Sequence, residues 1–166
     1  VARDMVWLPG GRFRMGSDAH HRAEAPAHEG AVSGFWIDRT PVINRQFGAI
    51  VEETGHVTLA DPGPNAADCP GARPWLLTPA SLVFMATGGP VPLDDWRQWW
   101  ALTPGSDGRH ATGPHRSLDG LWDHRVAQVA LGDAEAYCAW AGTALPSEAE
   151  WESAAWGGTR GPTFAW

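Results

Sequence analysis

The 166-residue sequence contains no lysine: all 12 of its basic residues are arginine, against 19 acidic residues, for a formal charge of -7 at neutral pH. A chain that binds nucleic acid or an acidic membrane surface clusters cations to displace counterions from phosphates. No basic stripe occurs here, so neither partner is expected. There are two cysteines, Cys69 and Cys138. They are too few and too far apart for a disulfide scaffold or a zinc site, and free buried thiols are the expectation for both. No run approaches the roughly 18 apolar residues of a membrane helix, and the N-terminus has neither the charged nor the apolar region of a signal peptide. These absences set the expectation of a soluble, cytoplasmic protein. Phosphate-cradling glycine loops, GxSxG elbows and HExxH helices are likewise missing. His20 and His21 are adjacent and diverge in any regular backbone, which argues against a metal site there. His110 and His115 have no carboxylate at ligand spacing.

What the chain has instead is tryptophan, with 11 residues against a single tyrosine, and 20 glycines with 14 prolines. That punctuation predicts short irregular segments packed around indole rings in one domain large enough for a core. With the abundant alanine, the lack of lysine suggests a GC-rich bacterial coding sequence. The most informative stretch is residues 132–158. Ala134, Tyr137, Cys138 and Ala141 recur at helical spacing, and Gly142 can stop that helix in a left-handed cap. Ser147 and Glu150 then form a capping box for a second helix that Gly157 and Gly158 end. Glu148 and Glu150 are read as helix-start charges rather than catalytic carboxylates. Near the N-terminus, MVWLPGGRFRMGSD predicts a hairpin turning at Gly10-Gly11, with Trp7, Phe13 and Met15 inward. Residues 18–29 predict a surface loop, and residues 31–38 a strand. Phe47, Ile50 and Val51 give a helical face stopped by Gly55. In residues 54–92 only Ser81 to Met85 suggests a strand.

The ordered segments AYCAWAG, LPSEAEWE and the following GG resemble the signature of the formylglycine-generating enzymes, or sulfatase-modifying factors. The opening MVWLPGGRFRMGS, the segment GFWIDRTPVINRQF, and the PASLVF and DWRQWW stretches extend the likeness along the chain. The resemblance implies an α+β, C-type-lectin-like fold that is loop-rich, with residues 1–166 forming the N-terminal part of a single domain and thus an incomplete one. It implies a groove for a sulfatase peptide with a Cys-x-Pro-x-Arg motif. Ser81, Trp99, Trp100 and Arg109 are the substrate-binding candidates; three tryptophans in five residues would otherwise be read as core.

Such enzymes oxidise the peptide cysteine to formylglycine with oxygen and copper(I) held by two cysteines, and bind calcium as a structural ion. This sequence offers no counterpart of the copper cysteines or calcium ligands, so no catalytic residue, metal site or cofactor is assigned. Inactivity of these residues alone is the expectation. The alternative is a non-catalytic binding module of the same fold. Departures from the family pattern accumulate: Ile43 for a hydroxyl residue, Gly108 for tryptophan, Ala111 and Thr112 for Pro and Glu, Arg125 for proline, Gln128 for histidine and Thr143-Ala144 for Lys-Arg. Loss of the hydroxyl cap at Ile43 should cost about 1 kcal/mol unless Asn44 or Thr40 replaces it. Unpaired sheet edges and exposed apolar surface are expected to promote self-association.

Overall fold

The computed structural model describes residues 4–157. In chain order the elements are β1 (Met5–Leu8), β2 (Gly11–Met15), β3 (His28–Val32), β4 (Phe35–Asp38), α1 (Asn44–Thr54), β5 (Ala80–Phe84), β6 (Trp100–Pro104), α2 (Leu131–Ala141) and α3 (Glu148–Trp156). This is an α+β chain with small antiparallel sheets. It divides into two compact units, one formed by the segments up to Thr40 and from Ala144 onward, the other by Pro41–Thr143. None of its described helices is long and apolar enough to cross a membrane.

In the first unit the expected hairpin is not formed. Both strands exist, but β1 pairs with β4 and β2 with β3. Leu8 faces Phe35 and Gly11 faces Val32, so the register runs unbroken across the gap. The result is one antiparallel ribbon, interrupted where Pro9-Gly10 lies opposite Ser33-Gly34. The glycines at that interruption are required by proximity: a Cβ on Gly10 would sit 2.6 Å from the Val32 carbonyl oxygen, and one on Gly34 2.4 Å from the Trp7 ring. The continuous strand expected over 31–38 is split by the same break. Trp7 is half exposed rather than in the core and lies against Trp36, ring centroids 5.5 Å apart.

α3 packs on β2 and β3. It starts as its sequence dictates, with the Ser147 hydroxyl accepting from Glu150 N at 3.3 Å and the Glu150 carboxylate accepting from Ser147 N at 2.8 Å. Those Ser147 hydrogen bonds hold the Glu150 carboxyl below its ordinary range. At the far end Gly157 takes the left-handed conformation, φ 57°; Gly158 lies outside the described residues. The Glu152 carboxylate accepts from Gly16 N at 2.8 Å, anchoring the turn after β2 to the helix.

The second unit holds the main core. Phe47 and Ile50 of α1 and Tyr137 of α2 are buried together, with Val42, Val126, Val129, Cys138 and Trp140 packed around them. Phe47 stacks on Tyr137 with centroids 6.0 Å apart. Both helices end where predicted, at Gly55 (φ 71°) and Gly142 (φ 66°). The N-terminus of α1 is satisfied by a route the sequence did not indicate. Neither Asn44 nor Thr40 supplies a cap. The Gln46 side chain accepts from Ile43 N at 2.9 Å, while the carbonyls of His124 and Trp122 accept from Asn44 N and Arg45 N at 2.9 and 3.0 Å. Asn44 Nδ2 donates to Leu121 O at 2.8 Å. The orphan donors of a helix start are thus met by a neighbouring loop.

The start of α2 is bound still more closely. Asp133, 4% exposed, accepts from Ala130 N at 2.8 Å and from Leu59 N at 3.3 Å, and bonds His56 Nε2 at 3.0 Å. One carboxylate therefore caps its own helix and fixes the chain that leaves α1.

Candidate functional site

All four sequence-derived site residues fall within the second unit, around the β5–β6 pair. Ser81 faces Thr103, Val83 faces Ala101, and Phe84 faces Trp100. Alternation puts Ser81 and Val83 on one face, where Val83 is only 4% exposed. The opposite face carries Leu82, Phe84, Trp100 and Leu102, all exposed apolar side chains. Phe84 and Trp100 meet edge to face with centroids 5.6 Å apart. β5 lies one residue N-terminal to the strand expected over Ser81 to Met85, and β6, which holds the groove candidate Trp100, has no counterpart among the expected strands.

Beside β5 lies a cavity of about 410 Å³ walled by Leu59, Ala60, Ala80, Ser81, Leu82 and Gln128, among others. The Ser81 hydroxyl makes no hydrogen bond among the described residues, so its donor and acceptor capacity is open to a ligand. Gln128, a departure from the family pattern in the sequence, shapes this wall. Its φ of 59° is left-handed, which side-chain-bearing residues adopt rarely and at a cost of about 1 kcal/mol or more. Its amide holds that conformation by donating to Leu82 O at 3.2 Å and Ala111 O at 3.0 Å. A single sequence carries no signal of a positive φ at glutamine.

Arg109 lines a different cavity, of about 280 Å³, with Phe47, His56, Asp61 and Trp122. The turn before it is tied by Asp107, whose carboxylate accepts from Arg109 N at 2.7 Å and His110 N at 2.8 Å. Ser106, fully buried, donates to Ala111 O. Arg109 Nη2 then reaches Asp61 Oδ1 at 2.9 Å. Trp99 and Trp100 line neither cavity; Trp99 is half-buried, and its carbonyl accepts from Met85 N at 2.8 Å. Ser81 and the two tryptophans thus belong to one ribbon, and Arg109 to the adjacent concavity.

Burial alone would raise the Asp61 carboxyl, but hydrogen bonds from Thr58 N and Oγ1 and the pairing with Arg109 outweigh it, leaving the group below its ordinary value of 3.8. A carboxyl whose folded pKa is depressed stabilises the fold above the unfolded value and loses that contribution as pH falls through the folded one. The stability difference between the native chain and Asp61→Asn, read from urea melts across pH, should therefore be largest near neutrality and shrink below about pH 4.

Both thiols are free and partly buried, and Cys138 packs against the Phe47, Ile50 and Tyr137 cluster. Among the described residues, no three His, Cys, Asp or Glu side chains converge as a metal site.

Comparison with known proteins defines the class to which this arrangement belongs. The sulfatase-modifying factor enzyme 1-like domain model matches residues 1–166. The chain belongs to that family. It is 47% identical over 163 residues to a formylglycine-generating enzyme of Mycobacterium tuberculosis, a match covering 98% of this chain and 54% of the relative. It is 39% identical over 175 residues to the Thermomonospora curvata formylglycine-generating enzyme, covering 100% of this chain and 53% of the relative. It is also 37% identical over 164 residues to the inactive Cα-formylglycine-generating enzyme 2 of Mus musculus, covering 98% and 50%. The chain spans about half the length of these curated relatives.

Proposed function

We propose that these residues form the peptide-gripping part of a formylglycine-generating-enzyme-type protein and do not by themselves oxidise a cysteine. The ligand is a sulfatase-type peptide carrying Cys-x-Pro-x-Arg. The observation that supports this most directly is the Ser81 hydroxyl, without a hydrogen bond among the described residues, on the wall of the 410 Å³ cavity, a wall to which Leu82 of the exposed apolar face also contributes. An extended peptide can bury alternate side chains on such a strand face while its backbone bonds to the rim. Trp99 and Trp100 would supply apolar and stacking area, and Arg109, already paired with Asp61 in the adjacent cavity, hydrogen-bond donors from the rest of its guanidinium. The finer fold assignment, C-type-lectin-like with residues 1–166 as the N-terminal part of a single domain, belongs to the same proposal.

Copper(I) suits paired thiolates. The thiols present do not fit that role: Cys138 is packed in hydrocarbon and Cys69 lies in the turn-rich stretch after Asn65, each half-buried in its own surroundings. The family's calcium role finds no support either. No redox step is therefore routed through this chain. The second reading, a non-catalytic binding module, is favoured by the likeness to a relative named as inactive. Both readings predict peptide binding without turnover.

A Cys-x-Pro-x-Arg peptide incubated with the chain, copper and oxygen should keep its thiol mass, while a fluorescent version should bind with an affinity that Trp100→Ala lowers about tenfold. Aldehyde formation would refute the inactivity claim, and binding unaffected by Trp100→Ala would refute the groove. The exposed strand face should also drive self-association; light scattering that reports monomers at every concentration would exclude it.

A further inference from the structure

The 280 Å³ cavity contains a charge that the fold itself does not use. Its floor is α1, from which Phe47 and Val51 contribute apolar surface, and its opposite wall is formed by Leu118, Trp122 and Val126. The Trp122 ring lies over Gly48 at ordinary contact distance: a Cβ there would lie 3.8 Å from the ring. Glu52 is one helical turn beyond Gly48 on the same face and lines the same cavity. The other ionisable lining groups are engaged. Asp61 holds Arg109 at 2.9 Å, and His56 bonds the buried Asp133 at 3.0 Å. Glu52 makes no ion pair or hydrogen bond among the described residues. At the mouth, Gly108 contributes no side chain, and a Cβ there would meet nothing nearer than Thr58 Cγ2 at 3.9 Å.

We infer that this cavity is a binding site for a small aromatic cation of the arylalkylammonium class. The ring enters between Phe47, Val51 and Val126, where apolar burial supplies the affinity. The ammonium stays at the mouth, held by the Glu52 carboxylate. An anionic ligand meets an unpaired carboxylate, and a neutral one leaves that carboxylate unused. The Asp61–Arg109 pair is internally neutral and favours neither sign. This inference uses none of Ser81, Trp99 and Trp100 and does not rest on peptide binding at the β5–β6 ribbon; Arg109 is the one residue common to both sites.

The test uses the full 166-residue chain and three probes of matched shape: 2-phenylethylammonium, 2-phenylethanol and 3-phenylpropionate, titrated at low salt by protein-observed NMR. The ammonium should bind about fivefold more tightly than the alcohol, and the carboxylate should bind most weakly. Added salt should weaken the ammonium and leave the alcohol unchanged. Glu52→Gln, at an exposed helix position, should bring the ammonium to the affinity of the alcohol. Gly108→Leu should reduce binding of all three probes by blocking the mouth. The inference is overturned by no saturable binding at millimolar concentration, by affinity independent of charge sign, by a preference that survives Glu52→Gln, or by a folded Gly108→Leu variant that binds as the native chain does.

Discussion

Replacing Asp133 with alanine should destabilise the chain by about 3 kcal/mol, as measured by urea unfolding followed through tryptophan fluorescence. The carboxylate is almost inaccessible and meets three N–H donors from three places: Ala130 N, Leu59 N and the His56 ring. Loss of an N-terminal helix cap accounts for about 1 kcal/mol. The remainder comes from leaving the other donors in a buried pocket without an acceptor, a penalty of about 1 to 3 kcal/mol per group before relaxation. Asp133→Asn separates the two contributions. Its amide oxygen can still accept from Ala130 N, but its NH2 turns a donor toward a donor, so it should recover part of the loss and no more. His56→Ala should cost less, because that side chain is 20% exposed and water can replace it. A double-mutant cycle between the two should give a coupling of about 1 kcal/mol. A loss below 1 kcal/mol for Asp133→Ala would mean that α2 holds its start by packing alone.

Asp133 also illustrates where the sequence was legible and where it was not. The helices were readable because their signals are local. Gly55 and Gly142 end α1 and α2, and Ser147 with Glu150 opens α3, each through contacts within four residues. The role of Asp133 beyond its own helix depends on residues 56 and 59, which only the fold brings to it. The strands show the same division. Pro9-Gly10-Gly11 has the composition of a reversal, yet the chain passes through it with only a kink, because the partner strand has its own break at Ser33-Gly34 in matching register. Two local breakers facing each other interrupt a ribbon without turning it. β6 went unseen because the sequence WALTP follows a tryptophan cluster and ends in proline. Its pairing with β5 is set by tertiary structure.

The candidate site was legible as a set of residues but not as a geometry. Trp99, Trp100 and Arg109 lie within one short segment and were read as one surface. The turn tied by Asp107 carries Arg109 away from the strand to Asp61, a residue 48 positions earlier that had carried no assignment. The Ser81 hydroxyl is without a hydrogen bond among the described residues, against the ordinary expectation for a strand serine. Gln128, which completes that wall, depends on a backbone conformation that no propensity predicts.

Phe47→Ala should have the second large effect, about 3 to 5 kcal/mol. Few side chains are deeply buried among the described residues, and in the second unit Phe47, Ile50, Val83 and Tyr137 are the hydrophobic ones. Phe47 touches most of what matters around α1: it stacks on Tyr137 and meets the His56 ring edge-on with centroids 6.2 Å apart. Truncation removes the burial of an aromatic ring and leaves a cavity that neighbouring valines fill only in part. Domains of this size hold a net stability of about 5 to 15 kcal/mol, so one such loss can consume a large share of it. Phe47→Leu keeps most of the volume and loses the ring stacking, and should cost about half as much. The ratio between the two variants is the informative quantity. If alanine and leucine cost the same, the ring geometry rather than its volume stabilises the α1–α2 contact. If both cost less than 1 kcal/mol, the core lies elsewhere and the floor of the 280 Å³ cavity is not a fixed surface.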